Sequence, residues 1–162
     1  MLYIQLIGIL AFCIVVLSFY KKNTNTIIAY QVVSNFAYTV HYFLLGALSG
    51  AFISAIGILR NILLLKVKKN KNIVAIAIIL MYLLVVIVFY ENISSLLPFV
   101  ANSQYLLAML KNDRKTLLIS AIIGSAMWGS YAIFVGSYAS MITESILLIS
   151  NIVQLVKLIK KK

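Results

Sequence analysis

"KKNTNT", residues 21–26, parts two long apolar runs, and "KNDRKT", residues 111–116, parts two others. The two hexapeptides stand 90 positions apart. The same displacement lays Gly46 on Gly136, Asn61 on Asn151, Tyr38 on Trp128 and His41 on Tyr131. It holds without a gap from about residue 4 to residue 70. Few letters coincide beyond the apolar ones. What coincides is the order of run ends, basic breaks and polar positions, and that order predicts two similar units.

The chain has 162 residues, of which 64% are hydrophobic and 10% charged. A soluble domain of this length needs more polar surface than that. The composition therefore predicts an integral membrane protein. Apolar runs fall at roughly 2–20, 27–46, 50–66, 73–90, 94–110, 116–135 and 138–158. Each can cross about 30 Å of hydrocarbon as a helix. Helices are required there because lipid offers the backbone no hydrogen-bond partner. The expectation is seven transmembrane helices. The first run, MLYIQLIGILAFCIVVLSFY, lacks a basic n-region and an A-x-A site, so it reads as a retained membrane helix.

The net charge of +11 is ordered along the chain. Lys21, Lys22, Lys66, Lys68, Lys69, Lys71, Lys111, Arg114 and Lys115 occupy the first, third and fifth breaks. Lys157, Lys160, Lys161 and Lys162 follow the last run, and the even breaks hold no Lys or Arg. With seven helices all these residues fall on one side, the cytoplasm, which puts the N-terminus outside and the C-terminus in the cytoplasm. Such short clusters do not form a nucleic-acid groove. The expected organisation is a three-helix unit at 1–72, a linker transmembrane helix at 73–92 and a second three-helix unit at 93–162. The linker sequence NIVAIAIILMYLLVVIVFY is almost free of polar groups and is expected to face lipid. One extra helix brings the chain back across the membrane, so that both units insert the same way up.

The segments VHYFLLGALSGAFISAIGILRNILLL, ENISSLLPFV and GSYASMITESILLISNIVQLVKL resemble the YgjV family of bacterial inner-membrane proteins, and the resemblance spans nearly the whole chain. It implies a place in the bacterial cytoplasmic (inner) membrane. It also implies kinship with the MtN3/SWEET/PQ-loop superfamily and its fold, an all-α, seven-helix bundle with a 3+1+3 parallel repeat. That superfamily includes sugar transporters, lysosomal amino-acid exporters and cargo receptors. SWEET proteins carry an Asn on the third helix of each unit at a central pocket, which Asn61 and Asn151 match, and an aromatic on the second, to which Tyr38 and Trp128 are similar. The proline tetrad that hinges SWEET proteins is missing, since Pro98 is the only proline, and there is no PQ dipeptide. The gating mechanism is therefore not carried over.

At 100° per residue, Ser140, Thr143, Glu144, Leu147, Asn151 and Gln154 share one face of the last helix. Gly50, Ser54, Gly57 and Asn61 form a stripe on the third helix, Gln31, Asn35, Tyr38 and Tyr42 on the second, and Ser95, Pro98, Asn102 and Tyr105 on the fifth. Polar groups within a membrane turn toward the bundle interior. Four such stripes predict a shared cavity, with Asn61, Asn151, Tyr38, Trp128, Asn35, Asn102, Ser54 and Glu144 as candidate substrate-binding residues. The plainer reading of the two Asn residues is interhelical hydrogen bonding worth about 1 kcal/mol each. Trp128 is either cavity wall or interfacial belt. Glu144 is half of an ion pair with His41 or Arg60, a substrate- or proton-coupling carboxylate, or an exposed carboxylate. Arg60 either snorkels to the headgroups or has a buried partner. His41 is a rim hydrogen-bonding residue or a proton sensor. Pro98 is expected to kink and hinge the fifth helix, with Gly8 as its counterpart.

The function expected from these residues is transport of a small neutral, sugar-like solute by alternating access between the two units. The second reading is a non-transporting membrane interaction or receptor protein on the same fold. One His, one Cys and three acids leave no nucleophile–base–orienter set, so no enzyme is expected, and no cofactor or metal. Cys13 reads as a buried small hydrophobe. The expected partners are a small-molecule solute and the lipid bilayer, with a homo-oligomer as a further option and no nucleic acid.

Overall fold

Gly46 and Gly136 stop two helices in the same way. Both have positive φ, +77° and +69°, a conformation costly for residues with a Cβ. In both turns an N–H one residue on closes back five residues: Ala47 to the Tyr42 carbonyl, Ser137 to the Ala132 carbonyl. This is the Schellman closure that satisfies the last carbonyls of a helix. Helix starts correspond as well. Asn23 Oδ1 accepts from the Thr26 N–H, and Asp113 Oδ2 accepts from the Thr116 N–H at 2.8 Å.

The computed structural model describes residues 2–21, 23–67, 69–111 and 113–160. Lys22, Lys68, Lys161 and Lys162, four of the basic residues that set the expected orientation, lie outside the described residues. The described residues form α1 (Leu2–Phe19), α2 (Thr24–Leu44), α3 (Leu48–Lys66), α4 (Lys71–Val88), a 3-10 turn (Ile93–Ser95), α5 (Leu96–Lys111), α6 (Arg114–Phe134) and α7 (Tyr138–Lys160). The protein is all-α. By length and composition α4, Ile93–Lys111, α6 and α7 can each cross a membrane, while Leu2–Ser18 and Leu48–Leu63 are shorter apolar helices. α2 is long enough but less apolar than the sequence pattern suggested, because Gln31, Ser34, Asn35, Thr39 and His41 interrupt it.

α1 packs on α2, α2 on α3, α3 on α5, α5 on α6, α6 on α7, and α7 returns to α1. Six helices thus close a ring. α4 stands outside it, against α3 and α5. The linker helix was expected to face lipid; one of its sides is exposed and the other is covered. Ile73, Leu80, Leu84 and Ile87 are exposed, whereas Ala75, Ile78, Tyr82, Val85 and Val86 are buried against Ile53, Ile56 and Leu106. A uniformly apolar helix gives no periodic sign of which side is covered. Around the ring, Phe36, Phe43, Ile133 and Ile149 are exposed on the outer surface, where lipid would meet them. Cys13 is exposed too, not buried as the sequence reading had it.

Two contacts set how closely the ring closes. A Cβ on Gly8 would lie 2.6 Å from the Ala139 Cβ, so α1 approaches α7 at backbone distance. A Cβ on Gly50 would lie 2.6 Å from Tyr131 Cε1, which brings α3 onto α6. Small residues permit such approaches between membrane helices.

Candidate functional site

The ring encloses a cavity of about 330 Å³. All six ring helices line it: Val15 from α1, Asn35 and Tyr38 from α2, Ser54, Gly57, Arg60 and Asn61 from α3, Asn102 and Tyr105 from α5, Trp128 from α6, Thr143, Glu144 and Leu147 from α7. α4 contributes nothing to the lining.

Arg60 carries the densest set of bonds in the cavity wall. Its side chain is only 8% exposed. Nε and Nη2 both donate to Asn61 Oδ1 at 3.2 Å, and Nη1 donates to Asn102 Oδ1 at 3.1 Å. The guanidinium carbon lies 5.6 Å from the Tyr105 ring centre, a contact worth about 0.5–2 kcal/mol. These partners are neutral. Arg60 does not snorkel, because Asn61 and Asn102 satisfy its donors inside the bundle. Asn102 in turn donates from Nδ2 to the Pro98 carbonyl at 2.9 Å.

Glu144 lines the same cavity, packed against Gly129 of α6, with Ser125 as its polar neighbour. The expected ion pair with His41 or Arg60 is not formed among the described residues. Arg60 is held by Asn61 and Asn102, and His41 by Ile4 and Ser137. Tyr38 reaches across from α2 and donates to Thr143 Oγ1 at 3.0 Å. Tyr42 stacks near Tyr38 and contacts both Trp128 and Tyr131, with ring centres 5.6 and 5.7 Å away. Trp128 is therefore cavity wall. No group of three or more His, Cys, Asp or Glu comes together among the described residues.

One end of the ring is tied shut. It is the end away from the basic breaks. His41 is fully buried there, with Nδ1 2.8 Å from the Ile4 carbonyl and Nε2 2.7 Å from Ser137 Oγ. A carbonyl only accepts, so Nδ1 carries the proton, and in the neutral ring Nε2 accepts from Ser137. Gln5 of α1 donates to the Gly136 carbonyl and accepts from the Ala139 N–H. On the other side Tyr131 Oη accepts from the Gly50 N–H at 3.0 Å and bonds Ser49 Oγ at 2.9 Å. His41 thus holds the start of α7 while Tyr131, its match 90 positions on, holds the start of α3. Toward the basic end, the hydrogen bond that joins the two units among the described residues is Arg60–Asn102.

Of the candidate residues, Asn61, Tyr38, Trp128, Asn35, Asn102, Ser54 and Glu144 come together on this cavity. Asn151 does not: it is half-buried on α7, beyond the lining, which ends at Leu147 on that helix. His41 belongs to the tied end instead. Pro98 lies in the first turn of α5, where helix N–H groups have no intrahelical partner in any case. The 3-10 turn Ile93–Ser95 runs directly into that first turn, with the Leu96 N–H bonded back to the Ile93 and Ser94 carbonyls. Gln31, Ser34, Tyr42, Tyr105 and Thr143 also line the cavity. All but Ser34 lay on the polar stripes. Gln5, Ser49 and Ser137 carried no periodic signal.

The family model Imp-YgjV, bacterial inner membrane protein, matches residues 2–162, and the chain belongs to this family. It is a multi-pass protein of the bacterial inner membrane. No curated protein and no solved structure matches it.

Proposed function

We propose that the chain transports a small polar solute by alternating access between two three-helix units, α1–α3 and α5–α7, in a 3+1+3 parallel-repeat, SWEET-like bundle. The observation that carries this reading is the cavity of about 330 Å³ lined by both units and tied shut at one end. Its size lies at the small-ligand end of ordinary binding sites. Transporters with repeated units bind near the midplane at the unit interface. The equivalent roles of Gly46 and Gly136, of Asn23 and Asp113, and of the neighbour pairs α1·α7 and α3·α5 support a parallel repeat. The orientation proposed from the basic residues puts the tied end outside. The arrangement then corresponds to a state closed to the exterior, with Gln31, Asn61 and Met109 leading from the cavity toward the cytoplasm. A bundle packed solid between the units would instead favour a non-transporting interaction protein.

The test is to lock the tied end. His41→Cys and Ser137→Cys, in a Cys13→Ser background, are oxidised to a disulfide in proteoliposomes. Solute flux should stop and return on reduction. Flux that continues through the locked protein would rule out alternating access at this end.

A further inference from the structure

We infer that the solute is held through an oxyanion, a carboxylate or phosphate group, docked on the Arg60 guanidinium; the inference rests on the transport reading for the solute's role, but its binding chemistry is separately testable. A guanidinium is permanently charged and has donors only. The Asn61 and Asn102 atoms that face it at 3.2 and 3.1 Å must therefore be amide oxygens. That fixes both amides. Asn102 Nδ2 is turned to the Pro98 carbonyl. Asn61 Nδ2 has no hydrogen-bond partner among the described residues. Three of the five Arg60 N–H groups are used on Asn61 and Asn102, and the buried Tyr82 hydroxyl of α4, which has no other hydrogen-bond partner among the described residues, neighbours the guanidinium and can take one more. The two not bonded to the amides sit one on each terminal nitrogen.

These three residues consequently offer positive charge and free donors, and both amide oxygens are already turned to the guanidinium. The complement is a group that is negative and accepts only. Carboxylates and phosphates form strong, charge-assisted hydrogen bonds with Arg, and the Asn61 Nδ2 donor stands beside it. A neutral hydroxyl would leave a buried charge unanswered. Glu144 does not answer it either. Arg60 stands twelve residues past the start of α3 and Glu144 six past the start of α7. Both helices start from the tied end, so the axial offset is about 9 Å at 1.5 Å per residue. The rest of the cavity, with Ser54, Tyr38 and Trp128, leaves room for a small hydroxylated body.

The experiment uses the purified full chain. Thermal stability is measured with gluconate, glucose or inorganic phosphate, and in nanodiscs with and without phosphatidylglycerol. Gluconate or phosphate should raise the melting temperature saturably and glucose should not. Arg60→Gln should weaken anion binding at least tenfold, with Arg60→Lys intermediate. Should Arg60→Gln fail to fold, Asn61→Asp decides the matter. It places a carboxylate against Arg60, so the protein should fold and anion binding should vanish. Anion binding unchanged in Asn61→Asp, equal stabilisation by glucose and gluconate, or no stabilisation by any anion would overturn the inference. Stabilisation by phosphatidylglycerol alone, lost in Asn61→Asp, would identify a lipid headgroup as the source of the oxyanion. Anion binding without flux in proteoliposomes would defeat the transport reading and leave this one standing. Flux of glucose that anions do not affect would do the reverse.

Discussion

Gly8→Ala should open the tied end. The new Cβ would sit 2.6 Å from the Ala139 Cβ and 2.9 Å from His41 Cε1, against an ordinary carbon separation of about 3.5–4.0 Å. Neither neighbour can give. The Ala139 Cβ is fixed to the backbone of α7, and the His41 ring is bonded on both sides. α1 must therefore back away by about 1 Å, since overlap on that scale is not tolerated. Overpacking of this kind costs about 1–3 kcal/mol. The shift also stretches the bonds from Ala139 N–H to Gln5 and from His41 to Ile4, each worth about 1 kcal/mol net. A total of about 3–5 kcal/mol, falling on the closed arrangement alone, changes its population relative to an open one by roughly 100- to 4,000-fold. The assay is labelling of Ser54→Cys, which lines the cavity, in a Cys13→Ser background. An impermeant maleimide is applied from the side of the tied end. Labelling should be slow in the parent and much faster with Gly8→Ala. Adding Ala139→Gly removes the 2.6 Å contact and should restore slow labelling in large part. Unchanged labelling and an unchanged melting temperature in Gly8→Ala would refute the reasoning.

Three further outcomes are expected. Tyr131→Phe keeps the ring packing but leaves the buried Gly50 N–H and Ser49 hydroxyl without their shared partner; thermal unfolding should show a loss of about 1–3 kcal/mol. Gly46→Ala and Gly136→Ala meet no atom within 4 Å, so the cost is backbone strain alone, about 1–2 kcal/mol each; denaturant unfolding should find the two nearly equal, and a large difference would break the equivalence of the two turns. Asp113 is held below the usual carboxylate range by the Thr116 hydroxyl and backbone N–H. A lowered carboxyl value stabilises above its unfolded value of about 3.9 and ceases to as pH falls through the folded value. The stability gap between the parent and Asp113→Ala should therefore be present at neutral pH and close in acid, as followed by melting temperature against pH.

Local features of this fold are legible in the sequence because they depend on few residues. Gly46 and Gly136 mark helix stops, and the stripes on α2, α3, α5 and α7 mark the faces turned inward. Depth is not legible. Glu144, Leu147 and Asn151 share a face, yet the cavity lining on α7 ends at Leu147. Periodicity along one helix says which way a side chain points and nothing about where the opposing helices leave a gap. For Arg60 the sequence left snorkelling and a buried partner both open, and the structure shows the buried partner. It stands about 100° from Asn61 on the helix, but a long side chain spans that angle, and Arg60 bonds its own neighbour. The roles of His41 and Tyr131 depend on α1 meeting α7 and α3 meeting α6, approaches set by Gly8 and Gly50. Their matching positions were visible, and what each one touches was not.

α4 lies outside the cavity ring, and one of its faces packs on both α3 and α5. It is thus a covalent tether that also acts as a clamp. Two separate three-helix chains would have to meet by lateral diffusion, and their ring would come apart as added lipid diluted them. With α4 in place the second bundle is delivered at a high effective concentration beside the first. Closing the ring becomes a first-order step, independent of how many copies the membrane holds.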